Sequence, residues 1–189
     1  MIGIPLGLLT ANGFEWVVHK YFLHGMGRKR DTFWSFHFHE HHRAVIKNDF
    51  IDPNYQRFPL GPHAQGKEAW GLILSAVAVA PLAPIAPFFV GTLWYSAGNY
   101  YIKHRKAHED PEWAKTHLPW HFDHHMGRNP SSNWCVTKPW FDYLLGTREF
   151  AANQHHESNI LGLQKLPRWL EKLLPPPEKL IRDRLIKDR

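Results

Sequence analysis

The chain has very little cysteine. Cys135 is the sole cysteine among 189 residues, which excludes an internal disulfide and every Cys-x-x-Cys metal or redox motif. A bound metal would therefore be held by histidine and carboxylate side chains. That ligand set favours iron, copper or nickel over a structural zinc site of the cysteine type.

Charge is absent from two long stretches. Residues 1–14 and 69–102 contain no charged side chain, although the mean hydropathy of the whole chain is −0.44. The longer stretch exceeds one membrane span of roughly 20 residues, and three prolines lie between residues 81 and 87. It predicts two short helices, about Trp70–Ala80 and Phe88–Ile102, joined by a proline-rich turn. Each arm is marginal for a full span, so a transmembrane hairpin, a re-entrant hairpin and a buried hairpin of a soluble protein stay open.

Residues 2–22 form a second, mostly apolar segment. Asn12-Gly13 is a turn signal within it. The segment has no basic region before it and runs directly into His19 and Lys20, so it does not resemble a signal peptide. We expect a membrane segment whose C-terminal end carries the first pair of histidines.

At 22.2 kDa, the chain is long enough for one domain with its own core. We expect residues 1–150 to form this domain and residues 151–189 to form a basic amphipathic tail. The net charge of +6 favours an anionic partner surface, and no feature indicates a nucleic-acid partner. The tail is expected either to lie on an anionic membrane leaflet or to form a solvated helix.

Histidine is abundant and clustered. Fifteen histidines are present, and most fall into four groups with the spacings His-x4-His, His-x3-His-His, His-x3-His and His-x2-His-His. Neutral imidazole is the commonest side-chain metal ligand, and residues three or four apart lie on one face of a helix. The groups contain ten candidate metal ligands, too many for one ion and enough for two: His19, His24, His37, His41, His42, His104, His108, His121, His124 and His125.

Helical geometry supports most of these candidates. At about 100° per residue, His104 and His108 lie about 40° apart and can reach one metal or two adjacent ones. The triplet at residues 121–125 follows Pro119, a good helix start, and occupies one stripe. The first pair is five residues apart, about 140° on an α-helix. That pair fits best if the helix end unwinds or if two metals are served.

The second group is crowded. His37 and His41 are one helical turn apart, whereas His39 points to roughly the opposite side. We therefore take His37, His41 and His42 as ligands and assign His39 to hydrogen bonding around them. An exchange of His39 for His37 is the alternative.

Other titratable groups near the clusters are weaker candidates. His117 is either an extra ligand or a hydrogen-bond partner, and His63, beside a proline, is typical of a loop. The adjacent pair His155-His156 is left out, because such pairs bind metal in vitro whatever their role. Five carboxylates are candidate partners for the second N–H of the imidazoles, although a surface position is the more common one for each taken singly: Glu15, Glu40, Glu109, Asp110 and Asp123.

Basic residues flank the apolar segments at one end only. Lys20 and residues 28–30 follow the first segment, and Lys103, Arg105 and Lys106 follow the hairpin. By the positive-inside rule these ends are cytoplasmic. All four histidine groups lie at or beyond the same ends. We therefore expect an integral membrane protein whose histidine cap faces the cytoplasm.

With these residues in place, the chain resembles the fatty acid hydroxylase superfamily, which includes sterol desaturases and methyl oxidases. The matching stretches are residues 15–25 (EWVVHKYFLHG), residues 33–43 (FWSFHFHEHHR) and residues 100–147, which contain HLPWHFDHH and end in NWCVTKPWFDYLLGT. The resemblance extends over residues 14–148. The N-terminal membrane portion is short for that family.

The resemblance implies an all-α integral membrane protein, with short transmembrane or re-entrant hairpins below a helical cap that holds a dinuclear site. It implies two iron ions, which zinc could replace during preparation. Such an enzyme uses dioxygen and two electrons from a reductase, ferredoxin or cytochrome to hydroxylate or desaturate a lipid, such as a fatty acyl chain or a sterol. The metals carry the chemistry, so no catalytic side chain is assigned. The lipid would enter laterally past four aromatic residues: Trp16, Phe22, Trp94 and Tyr95.

Two alternatives stay open. The opening stretch is also similar to bacterial carotene hydroxylases of the same superfamily. The other alternative is a histidine-rich membrane protein that binds or transports metal without catalysis, although a transporter should carry ionisable ligands within its spans. A zinc hydrolase is disfavoured because the sequence contains no HExxH motif.

Overall fold

The computed structural model describes residues 2–151 and 156–180, and these residues form helices and loops without a strand. This confirms the predicted all-α fold class. The described α-helices are α1 (Gly3–Val17), α2 (His42–Lys47), α3 (Ala64–Val79), α4 (Pro87–Glu109), α5 (Pro111–His117), α6 (Pro119–Met126), α7 (Trp140–Leu145) and α8 (Arg168–Glu171). Two π-helices adjoin them, Val18–Gly25 after α1 and His37–His41 before α2. Short 3-10 segments occupy Met26–Arg28, Pro53–Gln56 and Ala80–Leu82.

Helix α1 packs closely along α4, and two glycines permit the approach. A Cβ atom on Gly7 would lie 2.7 Å from Cβ of Thr92, and one on Gly3 would lie 2.8 Å from the backbone nitrogen of Phe89. Only glycine fits at these positions unless α4 moves. The order of the contacts shows that the two helices run in the same direction. The C-terminal end of α1, which leads into the π-helix that carries His19, therefore lies beside the C-terminal half of α4, which carries His104 and His108.

The proline-rich segment joins α3 and α4 into the predicted helical hairpin. Both helices extend beyond their predicted limits, because α3 begins at Ala64 and α4 continues to Glu109. Pro87 begins α4, where proline has no hydrogen-bonded N–H to lose. Among the helices of residues 2–151 and 156–180, none combines the length and the apolarity that crossing a bilayer requires.

The turn predicted at Asn12-Gly13 is wrong, since α1 runs through both residues. The buried Asn12 side chain donates to the carbonyl of Lys138 at 2.8 Å and accepts from the N–H of Phe141 at 3.3 Å. A Cβ atom on Gly13 would lie 2.8 Å from Cζ of Phe141. These residues serve close tertiary packing, which overrides their local preference for a turn.

The segment after α7 packs back on the helical domain. Lys138 Nζ donates to the carbonyl of Gly162, and Trp140 Nε1 donates to the carbonyl of Leu161 at 3.0 Å. Within the predicted amphipathic tail, residues 166–174 contain only the one-turn helix α8. The last part of the predicted tail, residues 181–189, lies outside the described residues.

Candidate metal centre

All ten candidate histidines are buried in one region of the protein. They form two groups, which we call site 1 and site 2. Site 1 comprises His19, His24, His37, His42 and His124. Site 2 comprises His41, His104, His108 and His125, joined by His121, whose Nε2 lies 3.1 Å from Nε2 of His108.

The Nε2 atoms of site 1 converge on a common point. Nε2 of His37 lies 2.9 Å from Nε2 of His19 and 3.2 Å from Nε2 of His42. Nε2 of His124 lies 3.2 Å from Nε2 of His24 and 3.3 Å from Nε2 of His42. Nε2 of His24 and Nε2 of His42 are 3.0 Å apart.

These separations match imidazoles arranged around one cation. Metal–imidazole bonds are about 2.0–2.1 Å long, so nitrogens at right angles lie about 2.9 Å apart and nitrogens at a tetrahedral angle about 3.4 Å apart. The site 1 separations, from 2.9 to 3.3 Å, lie within this range. Five nitrogens exceed the four ligands of a structural zinc site. They fit an ion of higher coordination number that keeps an open position.

Site 2 lies directly beside site 1. The ring centre of His41 lies 4.6 Å from the ring centre of His108 and 5.1 Å from the ring centre of His104. Across the boundary, the ring centres of His42 and His125 are 4.2 Å apart. The geometry provides for two cations held side by side.

The two π-helices decide which histidines share site 1. Backbone hydrogen bonds in a π-helix join residues i and i+5, so residues five apart lie one above the other. His19 and His24 are five apart in the first π-helix, and His37 and His42 are five apart across the second. An α-helix would instead place His41 above His37. The 140° separation expected for the first pair does not arise, because the segment is not α-helical.

Helices α4 and α6 have ordinary α-helical spacing, and each supplies one pair of histidines four residues apart to site 2. Each site thus contains two pairs, every pair lying on one face of its helix, and one further imidazole. The fifth imidazole of site 1 is His124 of α6, and the fifth of site 2 is His41 of the second π-helix. Both elements therefore serve both sites and fix them relative to each other.

The loop before α7 orients two ligands of site 1 through its carbonyl oxygens. Nδ1 of His19 lies 2.6 Å from the oxygen of Trp134, and Nδ1 of His124 lies 2.7 Å from the oxygen of Ser132. A carbonyl can only accept, so Nδ1 carries the proton and Nε2 presents its lone pair. The Asp142 carboxylate holds the loop by accepting two of its backbone N–H groups.

Two carboxylates that the sequence analysis missed stand behind ligands of site 2. Nδ1 of His41 lies 2.8 Å from Oδ2 of Asp52, and Nδ1 of His104 lies 2.7 Å from Oε2 of Glu68. Metal-bound imidazoles commonly donate their second N–H in this way. Neither carboxylate belongs to a histidine group. The one sequence signal is that Glu68 is the last charged residue before the uncharged stretch 69–102.

Several inner nitrogens of site 2 have no partner among the described residues. Nε2 of His41, Nε2 of His104 and both ring nitrogens of His125 are buried without a hydrogen bond. An unpaired buried polar group costs about 1–3 kcal/mol. Because Nδ1 of His41 donates to the ionised Asp52 carboxylate, the opposite Nε2 carries a lone pair. Nε2 of His104 presents a lone pair in the same way when Nδ1 donates to Glu68. These lone pairs fit a cation, so the residues present suit a metal ion.

Burial is the main electrostatic influence on the imidazoles. It lowers the pKa of His124 to about 4, and it lowers the pKa of His24 further, together with neighbouring imidazoles and the positive charge of Arg28. Burial also lowers the pKa of four site 2 imidazoles: His104, His108, His121 and His125. These rings are therefore neutral at physiological pH, which is the state that binds a metal.

The two carboxylates behind site 2 respond differently to burial. Burial raises the pKa of Glu68 to about 8, although the hydrogen bond from Tyr55 opposes the change. Burial also acts to raise the pKa of Asp52, but hydrogen bonds from His41 and from the backbone of Asn54 outweigh it, so this pKa lies below its ordinary value. Asp52 is therefore ionised at neutral pH.

Two histidines that were weighed as extra ligands lie outside both sites. Nε2 of His39 lies 2.9 Å from the carbonyl oxygen of Arg28. His117 stacks on the ring of Trp113 at 4.6 Å between centres. Both imidazoles have hydrogen-bonding and packing roles at the periphery.

Two further described histidines, His63 and His156, are also separate from the two groups. His63 caps α3, since its ring accepts from the N–H of Gly66. His156 stacks on Phe150. His155 lies outside the described residues.

Within residues 2–151 and 156–180, none of the five carboxylates expected to support the imidazoles bonds to a histidine ring. Glu15 accepts from the backbone and hydroxyl of Thr137, and Asp123 accepts from Arg148 at 2.8 Å. The other three form surface ion pairs with lysine or arginine: Glu40, Glu109 and Asp110. Proximity in sequence did not place these side chains on the inner face of their helices.

A cavity of about 560 Å³ opens between α1, α3 and α4. Its walls are largely apolar and include Phe14, Trp34 and Tyr100. It reaches His19 of site 1 and Glu68, the carboxylate behind site 2. Its volume is typical of small-molecule sites, so an apolar molecule of that size could lie against the histidine centre.

The cavity lies between the first segment and the hairpin, as the predicted lateral path does, but different aromatic residues line it. Trp16 is buried against Trp134 and Cys135. Phe22 packs edge-to-face on Trp34, and Trp94 donates to a backbone carbonyl of α3. Neither these nor Tyr95 contributes to the cavity wall, so the predicted lining is wrong in its residues.

No family model matches this chain, and no curated protein and no solved structure is significantly similar to it.

Proposed function

We propose that this chain is an oxygenase that holds two iron ions and uses dioxygen and two electrons to hydroxylate or desaturate a C–H bond of a lipid. The observation that carries the proposal is the paired site: two adjacent groups of five buried imidazoles, with an apolar cavity reaching them. Fatty acyl chains, sterols and carotenoids all belong to the proposed substrate class.

The composition of the paired site favours a redox metal over a hydrolytic one. Catalytic zinc uses three protein ligands and a structural zinc four, whereas each group here offers five imidazoles. Oxidising an unactivated C–H bond is chemistry that amino acid side chains cannot perform, and bound iron would supply it by activating dioxygen. The ligand set thus suits the proposed reaction better than hydrolysis.

The chain's own residues hold and orient the metal ligands. Carbonyl groups of the loop before α7 fix the tautomer of His19 and His124. Asp52 fixes that of His41, and the hydrogen bond to Glu68 orients the ring of His104. No side chain is proposed as an acid or a base for the reaction.

The cavity supports an apolar substrate. A lipid chain inside it would bury apolar surface, which favours binding by about 25 cal/mol per Å². His19 forms part of the wall, so a carbon of the bound chain could approach site 1 directly. The cavity would also keep water away from the reacting carbon.

Attachment to a membrane is part of the proposal. Exposed apolar side chains occur along α1 and the hairpin, for example Ile4, Leu74, Val77 and Phe88. Their uncharged surface fits a re-entrant hairpin that enters one leaflet, with the histidine cap on the cytoplasmic side. A lipid could then pass from the bilayer into the cavity. Electrons would come from a separate reductase, ferredoxin or cytochrome.

Metal analysis and comparative lipid mass spectrometry together test the proposal. Protein purified without chelator should contain about two irons per chain, one for each histidine group. Cells that express the chain should accumulate a lipid heavier by one oxygen atom or lighter by two hydrogen atoms. His124→Ala should lose both metal and product, whereas the matched variant His117→Ala should keep both.

Three outcomes would contradict the proposal. A zinc-loaded protein with hydrolase activity would indicate the wrong reaction class. Iron binding without any change in cellular lipids, given a competent electron donor, would favour the non-catalytic metal-binding alternative. Full metal content and product in His124→Ala would remove that residue from the site.

A further inference from the structure

Asp52 is a fully engaged carboxylate directly behind site 2. Its Oδ2 accepts from Nδ1 of His41 at 2.8 Å and from the amide of Gln65. Its Oδ1 accepts from the backbone and side-chain N–H groups of Asn54, each at 3.0 Å. Four donors thus hold an almost inaccessible carboxylate in one orientation, with one oxygen against the His41 ring.

Glu68 has the same relation to another ring of site 2. Its Oε2 lies 2.7 Å from Nδ1 of His104, and its Oε1 accepts from the hydroxyl of Tyr55 at 3.1 Å. When His104 donates from Nδ1 to this carboxylate, Nε2 of His104 is free to face a cation. Two of the five imidazoles in site 2 are therefore supported by carboxylates.

Site 1 has a different surrounding. Its two oriented rings, His19 and His124, donate to backbone carbonyls of Trp134 and Ser132. Within the described residues, no carboxylate bonds to a ring of site 1. Burial and neighbouring imidazoles lower the pKa of His24 in site 1. The positive charge of Arg28, which lies outside the histidine groups, lowers that pKa further.

This contrast changes how strongly each site attracts a cation. A carboxylate behind an imidazole makes the ring a stronger ligand, and loss of such a partner typically weakens metal binding about 10- to 100-fold. The negative charge of Asp52 also attracts the cation directly, with little screening in a buried environment. A neutral carbonyl provides orientation without that charge.

We infer that the two metal sites are inequivalent, and that Asp52 and Glu68 are positioning residues that make site 2 the tighter site, the one that fills first. The inference rests on the two metal ions of the proposed function, but it does not depend on the reaction. It predicts that the metal-free chain takes up cations in two separate steps.

Titration of the metal-free chain with Co²⁺ tests the inference without dioxygen or an electron donor. The visible absorption of Co²⁺ reports each binding step, and metal analysis gives the stoichiometry. Two ligand variants assign the steps: His108→Ala should abolish the tighter step, and His24→Ala should abolish the weaker one.

The carboxylates are then tested by substitutions that keep their shape. Asp52→Asn and Glu68→Gln should each weaken the tighter step about 10- to 100-fold and leave the weaker step unchanged. Glu109→Gln is the matched control, because Glu109 follows a site 2 ligand in sequence but pairs with Arg105 on the surface. It should leave both steps unchanged. Loss of the fold would remove both steps together, and if one variant fails to fold, the other carries the same expectation.

The inference is overturned if His24→Ala abolishes the tighter step, if both carboxylate variants weaken the two steps equally, or if Glu109→Gln has the same effect as they do. A chain that binds no Co²⁺ at all would refute the proposed function as well. A chain that binds in the expected order but oxidises no lipid would refute the proposed function alone.

Discussion

Two regions of this molecule differ in where they place polar and apolar side chains. The histidine half comprises sites 1 and 2 with the segments packed around them, and the hairpin half comprises the uncharged stretch 69–102 of α3, the proline-rich turn and α4. In the histidine half, imidazoles occupy the interior, and four of them are completely inaccessible: His104, His108, His121 and His124. In the hairpin half, apolar side chains lie outside, and Ile85 in the turn between α3 and α4 is 84% exposed. In soluble proteins, buried polar groups usually have hydrogen-bond partners, and large contiguous apolar patches on the surface are uncommon.

Both the buried imidazoles and the exposed apolar side chains point to a binding partner. Buried lone pairs cost free energy unless a donor or a cation satisfies them, and a large exposed apolar surface marks a contact with a membrane or another molecule. We propose that metal ions complete the first half and that an apolar surrounding covers the second.

Metal removal should have the largest effect, and it should act on the histidine half. A cation present at 1,000 times its Kd stabilises the folded state by about 4 kcal/mol per site. Chelation should therefore lower the thermal midpoint strongly, as measured by circular dichroism. Adding Fe²⁺ back without oxygen should restore it.

A control variant is needed to show that the chelator acts through sites 1 and 2 and not through histidines at the periphery. A variant without the peripheral ring, His117→Ala, should show the same loss and the same recovery as the unaltered chain. A thermal midpoint that chelation does not change would mean that protein contacts alone stabilise the histidine half.

Patterns that depend on a few neighbouring residues were predictable from sequence. The prolines at residues 81–87 break the uncharged stretch whatever surrounds them, so the hairpin was correctly predicted. Pro119 starts α6 for the same local reason. The spacing of the histidines likewise identified the ten that the fold brings together.

The allocation of histidines to sites was not predictable, because it depends on two π-helices. A π-helix is rare and gives no clear local signal in the sequence. The α-helical rule therefore paired His37 with His41 rather than with His42.

Partners that come from distant segments also escaped prediction. Asp52 lies 11 residues from His41, and Glu68 lies 36 residues from His104. No periodic pattern links such residues, since loops and helix packing bring them together. The turn predicted at Asn12-Gly13 was wrong for a related reason, because tertiary contacts with the loop before α7 keep that stretch helical.

The next largest effect should come from a buried ion network inside the histidine half. Arg148 pairs with Asp123 of α6 at 2.8 Å and with both oxygens of Glu157, each at 2.7 Å. Glu157→Gln should leave this buried guanidinium poorly compensated and destabilise the chain by about 3 kcal/mol. Urea denaturation measures the change.

A surface pair is the matched control for this prediction. Glu112 pairs with Lys115 and its side chain is 82% exposed, so Glu112→Gln should change stability by about 0–1 kcal/mol. Equal effects of the two substitutions would mean that the segment after α7 does not contribute to the histidine half.

A smaller effect is expected from a substitution that acts on the hairpin half and leaves the metal centre unchanged. Ile85→Lys adds a charge at the exposed tip of the hairpin, where no packing is lost. A charge inside a bilayer costs about 2–3 kcal/mol, which corresponds to a roughly 30- to 150-fold loss of vesicle binding. Co-sedimentation with lipid vesicles measures this loss, and metal content should not change.

Phe58→Lys is the control on the other half, since Phe58 is 72% exposed but lies outside the uncharged stretch. It should not weaken vesicle binding. If Ile85→Lys binds vesicles as the unaltered chain does, the hairpin tip is not the membrane contact. A change from dimer to monomer in that variant would instead indicate that a second copy covers the apolar surface.

The smallest expected effect is that of His39→Ala. Its comparison with His37→Ala tests the π-helical register directly, because the two histidines are only two residues apart. His37 is buried in site 1 with its Nε2 2.9 Å from Nε2 of His19, whereas Nε2 of His39 bonds to the carbonyl of Arg28 outside the site. His39→Ala should lose one peripheral hydrogen bond, about 1 kcal/mol of stability, and keep its full metal content. His37→Ala should lose the metal of site 1. If the two variants exchange these phenotypes, the second π-helix is rotated, His39 is the ligand, and the pairing of residues five apart does not build site 1.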